Sequence, residues 1–100
     1  MVKHIIIWTF KDEFSTEEKE KIKAEAKEAL EALSGNIDGL LDITLVTELL
    51  PSSNGEMMLD STFESAEALA YYQKHTLHLA AADTFVRPFT ASKLCIDYET

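Results

Sequence analysis

The chain opens on a stretch rich in β-branched and aromatic residues, from Val2 to Phe10, which favours a strand. In a strand, successive side chains point to opposite faces. One face then receives Val2, His4, Ile6, Trp8 and Phe10, and the other receives Lys3, Ile5, Ile7 and Thr9. Because each set contains large apolar groups, the pattern predicts a strand that is covered on both sides.

A capping box marks the start of the first helix. Ser15 is followed three residues later by Glu18, and the two side chains can satisfy each other's free backbone N–H groups. Apolar residues then recur at helical spacing, at Ile22, Ala26, Leu30 and Leu33. Because Ser34-Gly35 supplies a stop signal, the pattern predicts one amphipathic helix with a narrow buried stripe.

Two further strands and a turn follow. The residues from about Gly39 to Leu50 alternate in polarity, and so do those from Glu56 to Phe63. Between them lies the turn cluster Pro51 to Gly55, in which Asn-Gly tolerates positive φ. The sequence therefore predicts a β-hairpin.

The second half of the chain repeats the pattern of helix and strand. Ser65 is a candidate N-cap for a second helix that falters near His75-Thr76, where Thr76 can cap a further short helix. Pro88 forbids helix beyond Arg87. A final strand is predicted from about Ser92 to Tyr98.

The order strand, helix, strand, strand, helix, strand predicts one α+β domain over residues 1–100 with the ferredoxin-like βαββαβ arrangement. Its four-stranded antiparallel sheet carries helices on one face only. We expect Ile5, Ile7, Met58 and Cys95 on the helix-free face. A second copy packed sheet to sheet would cover that surface, and so would a bound ligand.

Charge and composition exclude several classes of function. The formal net charge of −9 argues against nucleic acid and against anionic membranes, because a polyanion would be repelled. No apolar run is long enough to cross a bilayer, and Met1 leads into a strand instead of a signal region, so we expect a cytoplasmic protein. Cys95 is the single cysteine, and we expect it to pack as a small apolar side chain.

Chemistry is concentrated between Phe63 and His78. Tyr71, Tyr72, His75 and His78 lie close together there, and the predicted fold brings the third histidine, His4, beside them. The spacing of His75 and His78 raises the possibility of a zinc site with His4 and Asp83. The chain lacks a compact metal motif and a glycine-rich phosphate loop, so we predict neither metal nor cofactor.

Three segments resemble the stress-responsive A/B barrel (Dabb) domain family. They are Val-Lys-His-Ile-Ile-Ile-Trp-Thr-Phe-Lys-Asp-Glu at the start, Thr-Phe-Glu-Ser-Ala-Glu-Ala-Leu-Ala-Tyr-Tyr-Gln-Lys-His-Thr-Leu-His in the middle, and Cys-Ile-Asp-Tyr-Glu at the end. The resemblance implies a ferredoxin-like protomer that pairs as a homodimer, with the two sheets forming a dimeric α/β barrel.

The resemblance also implies candidate site residues, because cyclase-like members of this family use histidine and tyrosine as acid and base. On this basis His78 is the candidate general base, Tyr72 the donor to an oxyanion, and His4 the group that positions a carbonyl. His75 and Trp8 are assigned to substrate binding. The match is partial, since Thr76 stands where proline is common, and Lys23 and Lys27 stand where a pocket would carry aromatic residues.

Two functions remain open. The first is a small dimer of stress-associated or ligand-binding type, in which His4 bonds a backbone carbonyl, Tyr72 is a core aromatic and His75 caps helix carbonyls. The second is a cofactor-free enzyme that acts on a small apolar carbonyl compound, for example by aldol cyclisation. A pocket bordered by His4, Tyr72 and His78 would favour the enzyme, whereas a filled core with those groups satisfied would favour the first function.

Overall fold

A computed structural model describes the protein from Met1 to Thr100 as four strands and three helices. In chain order these are β1 (Val2–Phe10), α1 (Thr16–Glu31), β2 (Leu40–Val46), β3 (Met57–Phe63), α2 (Ala66–Lys74), α3 (Thr76–Phe85) and β4 (Thr90–Glu99). None of the helices is long and apolar enough to cross a membrane.

The strands form a single antiparallel sheet in the order β2-β3-β1-β4. β1 therefore lies inside the sheet, and β4 forms one edge. The register places His4 opposite Ser61 on β3 and opposite Asp97 on β4. This topology confirms the predicted α+β, ferredoxin-like arrangement with its four-stranded antiparallel sheet.

The helices cover one face of the sheet and enclose the core. The side chains that β1 sends to this face are at most 6% exposed, and they are Val2, His4, Ile6, Trp8 and Phe10. α1 and the turn after it contribute the predicted stripe of Ile22, Ala26, Leu30 and Leu33. The sequence pattern thus identified the main packing partners correctly.

Side-chain caps fix the helix starts. In the predicted capping box, the Ser15 N–H donates to the Glu18 carboxylate at 2.8 Å, and the Glu18 N–H donates to Ser15 Oγ at 3.1 Å. Ser65 caps α2 as predicted. The prediction for α3 was wrong, because His75 caps it instead of Thr76: its Nδ1 accepts from the Leu77 N–H at 3.1 Å.

β2 ends at Val46, earlier than the predicted Leu50. The reason lies in the segment before β3, which is bonded to β1 instead of β2. The Glu56 N–H donates to the Trp8 carbonyl at 2.9 Å, and the Phe10 N–H donates to the Glu56 carboxylate at 2.7 Å. A longer β2 would therefore have no partner strand. β4 begins at Thr90, before the predicted Ser92, since Thr90 is still paired with Phe10.

The helix-free face is apolar and uncovered in the single chain. Ile5 and Ile7 of β1 lie opposite Ile96 and Leu94 of β4, and Leu94 is 58% exposed. β1 was predicted to be covered on both faces, but within one protomer nothing covers this face.

The prediction for Cys95 was wrong in two respects. The register places Cys95 opposite Ile6, so its side chain lies on the helix side of the sheet. The thiol is also exposed instead of packed, because β4 is an edge strand that the helices cover incompletely.

We predict that Ile7→Asp disrupts a dimer formed through the helix-free face. A carboxylate buried between two sheets would lose its hydration without a partner. Sedimentation should show a monomer or an aggregate, whereas Ala24→Asp, which places the same charge on the exposed side of α1, should leave assembly unchanged. A folded dimer in the Ile7→Asp protein would contradict this use of the face.

Candidate functional site

A cavity of about 230 Å³ opens where β4 projects beyond the helices. Three of the predicted site residues line it: His4 and Trp8 from β1, and His78 from α3. Polar residues that the sequence did not single out for this site complete much of the wall, and they are Gln73, Arg87, Thr90, Lys93 and Cys95. That a small ligand binds in this cavity stays a prediction.

Tyr72 and His78 meet behind this cavity because the chain turns sharply at His75. Tyr72 lies in the last turn of α2 and His78 in the first turn of α3, and the extended backbone of His75 joins the two helices. The ring centroids of Tyr72 and His78 are 4.2 Å apart. The Tyr72 ring also lies 6.2 Å from His4 in an edge-on arrangement. The fold therefore brings three predicted site residues together.

Two polar atoms in this cluster are buried without a hydrogen-bond partner in the protein, the Tyr72 hydroxyl and His78 Nδ1. Leaving a buried polar group unsatisfied costs about 1–3 kcal/mol. Tyr72 is 0% exposed and belongs to the hydrophobic core, so it is a core aromatic as the structural alternative held, but its hydroxyl does not reach the surface. Neither atom is accessible from outside, and of the pair only His78 borders the cavity, because Tyr72 is not among its lining residues.

Burial, together with the positive charges of Arg87, His4 and Lys93, lowers the pKa of His78 to about 4 against the opposing effect of Asp83. The imidazole is therefore neutral near neutral pH and can accept a proton. Burial also raises the pKa of the Tyr72 hydroxyl, so this group stays protonated and can donate. The pair thus holds one proton acceptor and one donor side by side.

Asp97 orients His4. The His4 imidazole bonds through Nδ1 to the Asp97 carboxylate, so Nδ1 carries the proton and Nε2 is left as the second functional atom. The sequence interpretation in which His4 bonds a backbone carbonyl is therefore wrong. Asp97 was not predicted, because only the pairing of β1 with β4 places it opposite His4.

His4, Cys95 and Asp97 also form the one group of potential metal ligands in the structure, with donor atoms within 4.8 Å of one another. Thiolate, imidazole and carboxylate are donors that zinc accepts. His4 Nδ1 is already engaged by Asp97, however, and burial together with the Asp97 carboxylate raises the pKa of the Cys95 thiol. A metal would have to displace two protons, and its absence stays a prediction.

His75 and Tyr71 lie apart from the cavity lining. The Nδ1 atom of His75 is used to cap α3, and Tyr71 is 52% exposed and packs edge-on against the His75 ring at 5.4 Å. The His75 imidazole therefore accepts from a backbone N–H. One sequence interpretation had this imidazole capping the carbonyls of α2, but the His75 backbone N–H does so, donating to the Tyr72 carbonyl at 3.1 Å.

A larger hollow of about 600 Å³ lies on the helix-free face, between the β2–β3 connection and β4. Ile7, Met58 and Leu94 line it. It contains none of the histidines, and it is part of the surface that a second protomer is expected to cover. Its size therefore does not make it the chemical site.

Comparison with known proteins supports the fold and identifies related sequences. Residues 2–100 match the family model of the Stress Responsive A/B Barrel Domain. No curated protein matches the chain.

Solved structures cover the chain almost completely. A dimeric protein of unknown function and ferredoxin-like fold from Bacteroides fragilis shares 30% identity over 99% of this chain and 95% of its own, with a TM-score of 0.91. An Arabidopsis thaliana protein shares 27% identity over 100% of this chain and 95% of its own, with a TM-score of 0.74. A hydroxynitrile lyase from Passiflora edulis, at 20% identity over 97% and 90% and a TM-score of 0.70, shares the fold.

We predict that His78 makes stability depend on pH between about 6.5 and 4. The unfolded chain binds a proton to this histidine below about 6.5, whereas the folded protein does so only near 4. Folding stability should therefore fall as the pH falls through this window. Melting temperatures measured at each pH should show a smaller loss for His78→Asn than for the native protein. An identical pH dependence in both proteins would contradict the burial of a neutral imidazole.

Proposed function

We propose that this chain, which belongs to the stress responsive A/B barrel domain family, uses its cavity for cofactor-free acid–base chemistry on a small carbonyl compound. One observation carries the proposal. The neutral His78 imidazole and the protonated Tyr72 hydroxyl are in contact, and each has a buried polar atom without a protein partner. A filled core would have satisfied both groups.

The chemistry follows from the protonation states. Neutral His78 removes a proton from the carbon next to the carbonyl, and the electron pair of the C–H bond moves to the carbonyl oxygen as an enolate. Tyr72 lies behind the cavity lining, so its side chain has to turn toward the cavity before its hydroxyl donates a hydrogen bond to that oxygen. The enolate carbon either attacks a second carbonyl of the same molecule, which closes a ring, or, where a C=C bond is conjugated with the enolate, the proton returns to the far carbon of that conjugated system and the double bond shifts. The proton on His78 then passes to the new alkoxide or carbon, so the side chain returns to its neutral form.

His4 has the role of positioning the substrate. Its ring is 2% exposed and is held by Asp97 on one side, while Phe63 and Tyr72 pack edge-on against it at 6.2 Å each. A ring fixed in this way presents Nε2 without further ordering, which favours a role in placing the substrate carbonyl.

The proposed assembly is a homodimer in which two helix-free faces pack against each other as a dimeric α/β barrel. The apolar face formed by Ile5, Ile7, Leu94 and Ile96 supports it. The related protein from Bacteroides fragilis is described as dimeric. Location in the cytoplasm stays a prediction.

A second candidate function is small-molecule binding without turnover, in a stress-associated role. The position of Tyr72 favours it, because this residue does not line the cavity and its hydroxyl is not aimed at an oxyanion held there. The unsatisfied atoms of Tyr72 and His78 would then bond a ligand without transferring a proton.

Proton abstraction can be tested with methyl levulinate, a small neutral ketone, by following exchange of its hydrogens for deuterium in heavy water by NMR. We predict exchange above the rate in buffer. His78→Gln should reduce it by a factor of about 10²–10⁴, as expected for loss of a general base, and Tyr72→Phe by about 10²–10³, as expected for loss of an oxyanion donor.

Tyr71→Phe is the matched control, because it removes a neighbouring hydroxyl that lies outside the cavity. Its exchange rate should equal that of the native protein. Exchange at the buffer rate despite binding of the ketone would favour the second candidate function. Full exchange by His78→Gln would remove His78 as the base.

The pH profile of exchange provides an independent test. Because the pKa of His78 is lowered to about 4, the base form persists in weak acid. The value of kcat/KM for exchange should therefore begin to fall only near pH 4. An ordinary histidine would cause this fall at about pH 6.5. An acid limb at about 6.5 would show that an exposed imidazole acts instead.

A further inference from the structure

The cavity wall carries positive charge in a strongly acidic protein. The chain has 18 Asp and Glu residues against nine Lys and Arg. Two of the nine, Arg87 and Lys93, line the cavity, and none of the 18 does. A random sample of this surface would carry a net negative charge, whereas the charged side chains of the cavity lining are all positive.

The two cations come from different elements and face one space. Lys93 lies on β4, opposite Trp8 and on the helix side of the sheet. Arg87 lies just beyond α3, where its backbone N–H donates to the Ala82 carbonyl at 2.8 Å. Both side chains line the same cavity as His78, the proposed base.

Neighbouring carboxylates occupy only part of the hydrogen-bonding capacity of Lys93 and Arg87. Lys93 makes no ion pair in the structure, and Asp97 is turned toward His4. Arg87 pairs with Asp83 through one nitrogen, and a guanidinium has five N–H donors. An incoming anion therefore finds one free ammonium group and the remaining donors of one guanidinium.

We infer that the cavity takes a small oxo acid, a carbonyl compound with a carboxylate at its other end, and that Lys93 and Arg87 bind the carboxylate. This inference rests on the proposed function, because the carbonyl end is assigned to His78 and Tyr72. A carboxylate matches the planar donor geometry of Arg87. The small volume of about 230 Å³ favours a short molecule.

Anion binding would also change the base. Burial is the main cause of the lowered pKa of His78, and Lys93 and Arg87 add to it; a bound carboxylate offsets one of these two charges. The pKa of His78 should then rise toward its ordinary value, which makes the imidazole a stronger base when the substrate is in place. Recognition of the carboxylate and activation of His78 are thus coupled through the same two cations.

The test compares levulinate with methyl levulinate, which differ in the charge and in one methyl group, by NMR titration of the native protein. Levulinate should bind about tenfold more tightly, a ratio that corresponds to one charge-assisted contact. Lys93→Met should remove the preference by weakening the binding of levulinate. The control Lys21→Met removes the same charge from α1, away from the cavity, and should keep the preference.

Two further readouts make the test specific. The pKa of His78, followed through its ring protons, should rise when levulinate binds and should not rise with the ester. The analogue 3-oxobutylphosphonate carries a phosphonate in place of the carboxylate, so it shows which of the two anionic groups the cavity prefers. It should bind more weakly than levulinate. Stronger binding of the phosphonate would overturn the assignment to a carboxylate.

Equal affinity for levulinate and its ester, or no binding of levulinate, would overturn the inference. A preference that survives in both Lys93→Met and Lys93→Gln would overturn the role of Lys93. These outcomes are separate from the proposed acid–base function, which is judged on exchange of the neutral ester. Exchange of the ester without a preference for levulinate would refute only the inference, and a Lys93-dependent preference without exchange would refute only the proposed function.

Discussion

The alternation of side chains along β1 is the constraint on which the rest of the structure depends. β1 lies inside the sheet, so one set of its side chains meets the helices and the other meets the open face. His4 belongs to the first set, and Ile5 and Ile7 belong to the second. The same strand therefore supplies a buried imidazole to the cavity and an apolar surface for a second protomer. A shift of one residue in register would exchange the two roles.

β4 reverses the polarity that the inner strands show. Its helix side carries Lys93, Cys95 and Asp97, whereas its other side carries Leu94 and Ile96. In a protomer considered alone this arrangement would be unfavourable, because the apolar side faces water. It becomes favourable when a second sheet covers the apolar side and the polar side borders a cavity. The edge strand thus links the proposed dimer to the proposed site.

The sequence was sufficient where structure is determined locally. Periodicity and caps gave the order of elements, the buried stripe of α1 and the capping box at Ser15, because these depend on residues a few positions apart. Asp97 and the side on which Cys95 lies depend on the register between the first and last strands, which local patterns do not contain. The N-cap at His75 was missed for a related reason: Thr76 is the more common capping residue, and only the backbone turn shows that the imidazole reaches the Leu77 N–H.

The cost of the Tyr72 and His78 arrangement is itself an argument for a ligand. Two unsatisfied buried atoms destabilise the fold by about 1–3 kcal/mol each, which is a large share of the stability of a small domain. A purely structural cluster would gain from Phe in place of Tyr72, because the hydroxyl makes no contact that holds the fold. A carbonyl compound, in contrast, gives the hydroxyl an acceptor and gives the imidazole a proton to remove. His78 lines the cavity and Tyr72 lies directly behind it, so a ligand that reached both groups would stabilise an arrangement that the folded chain alone leaves unsatisfied.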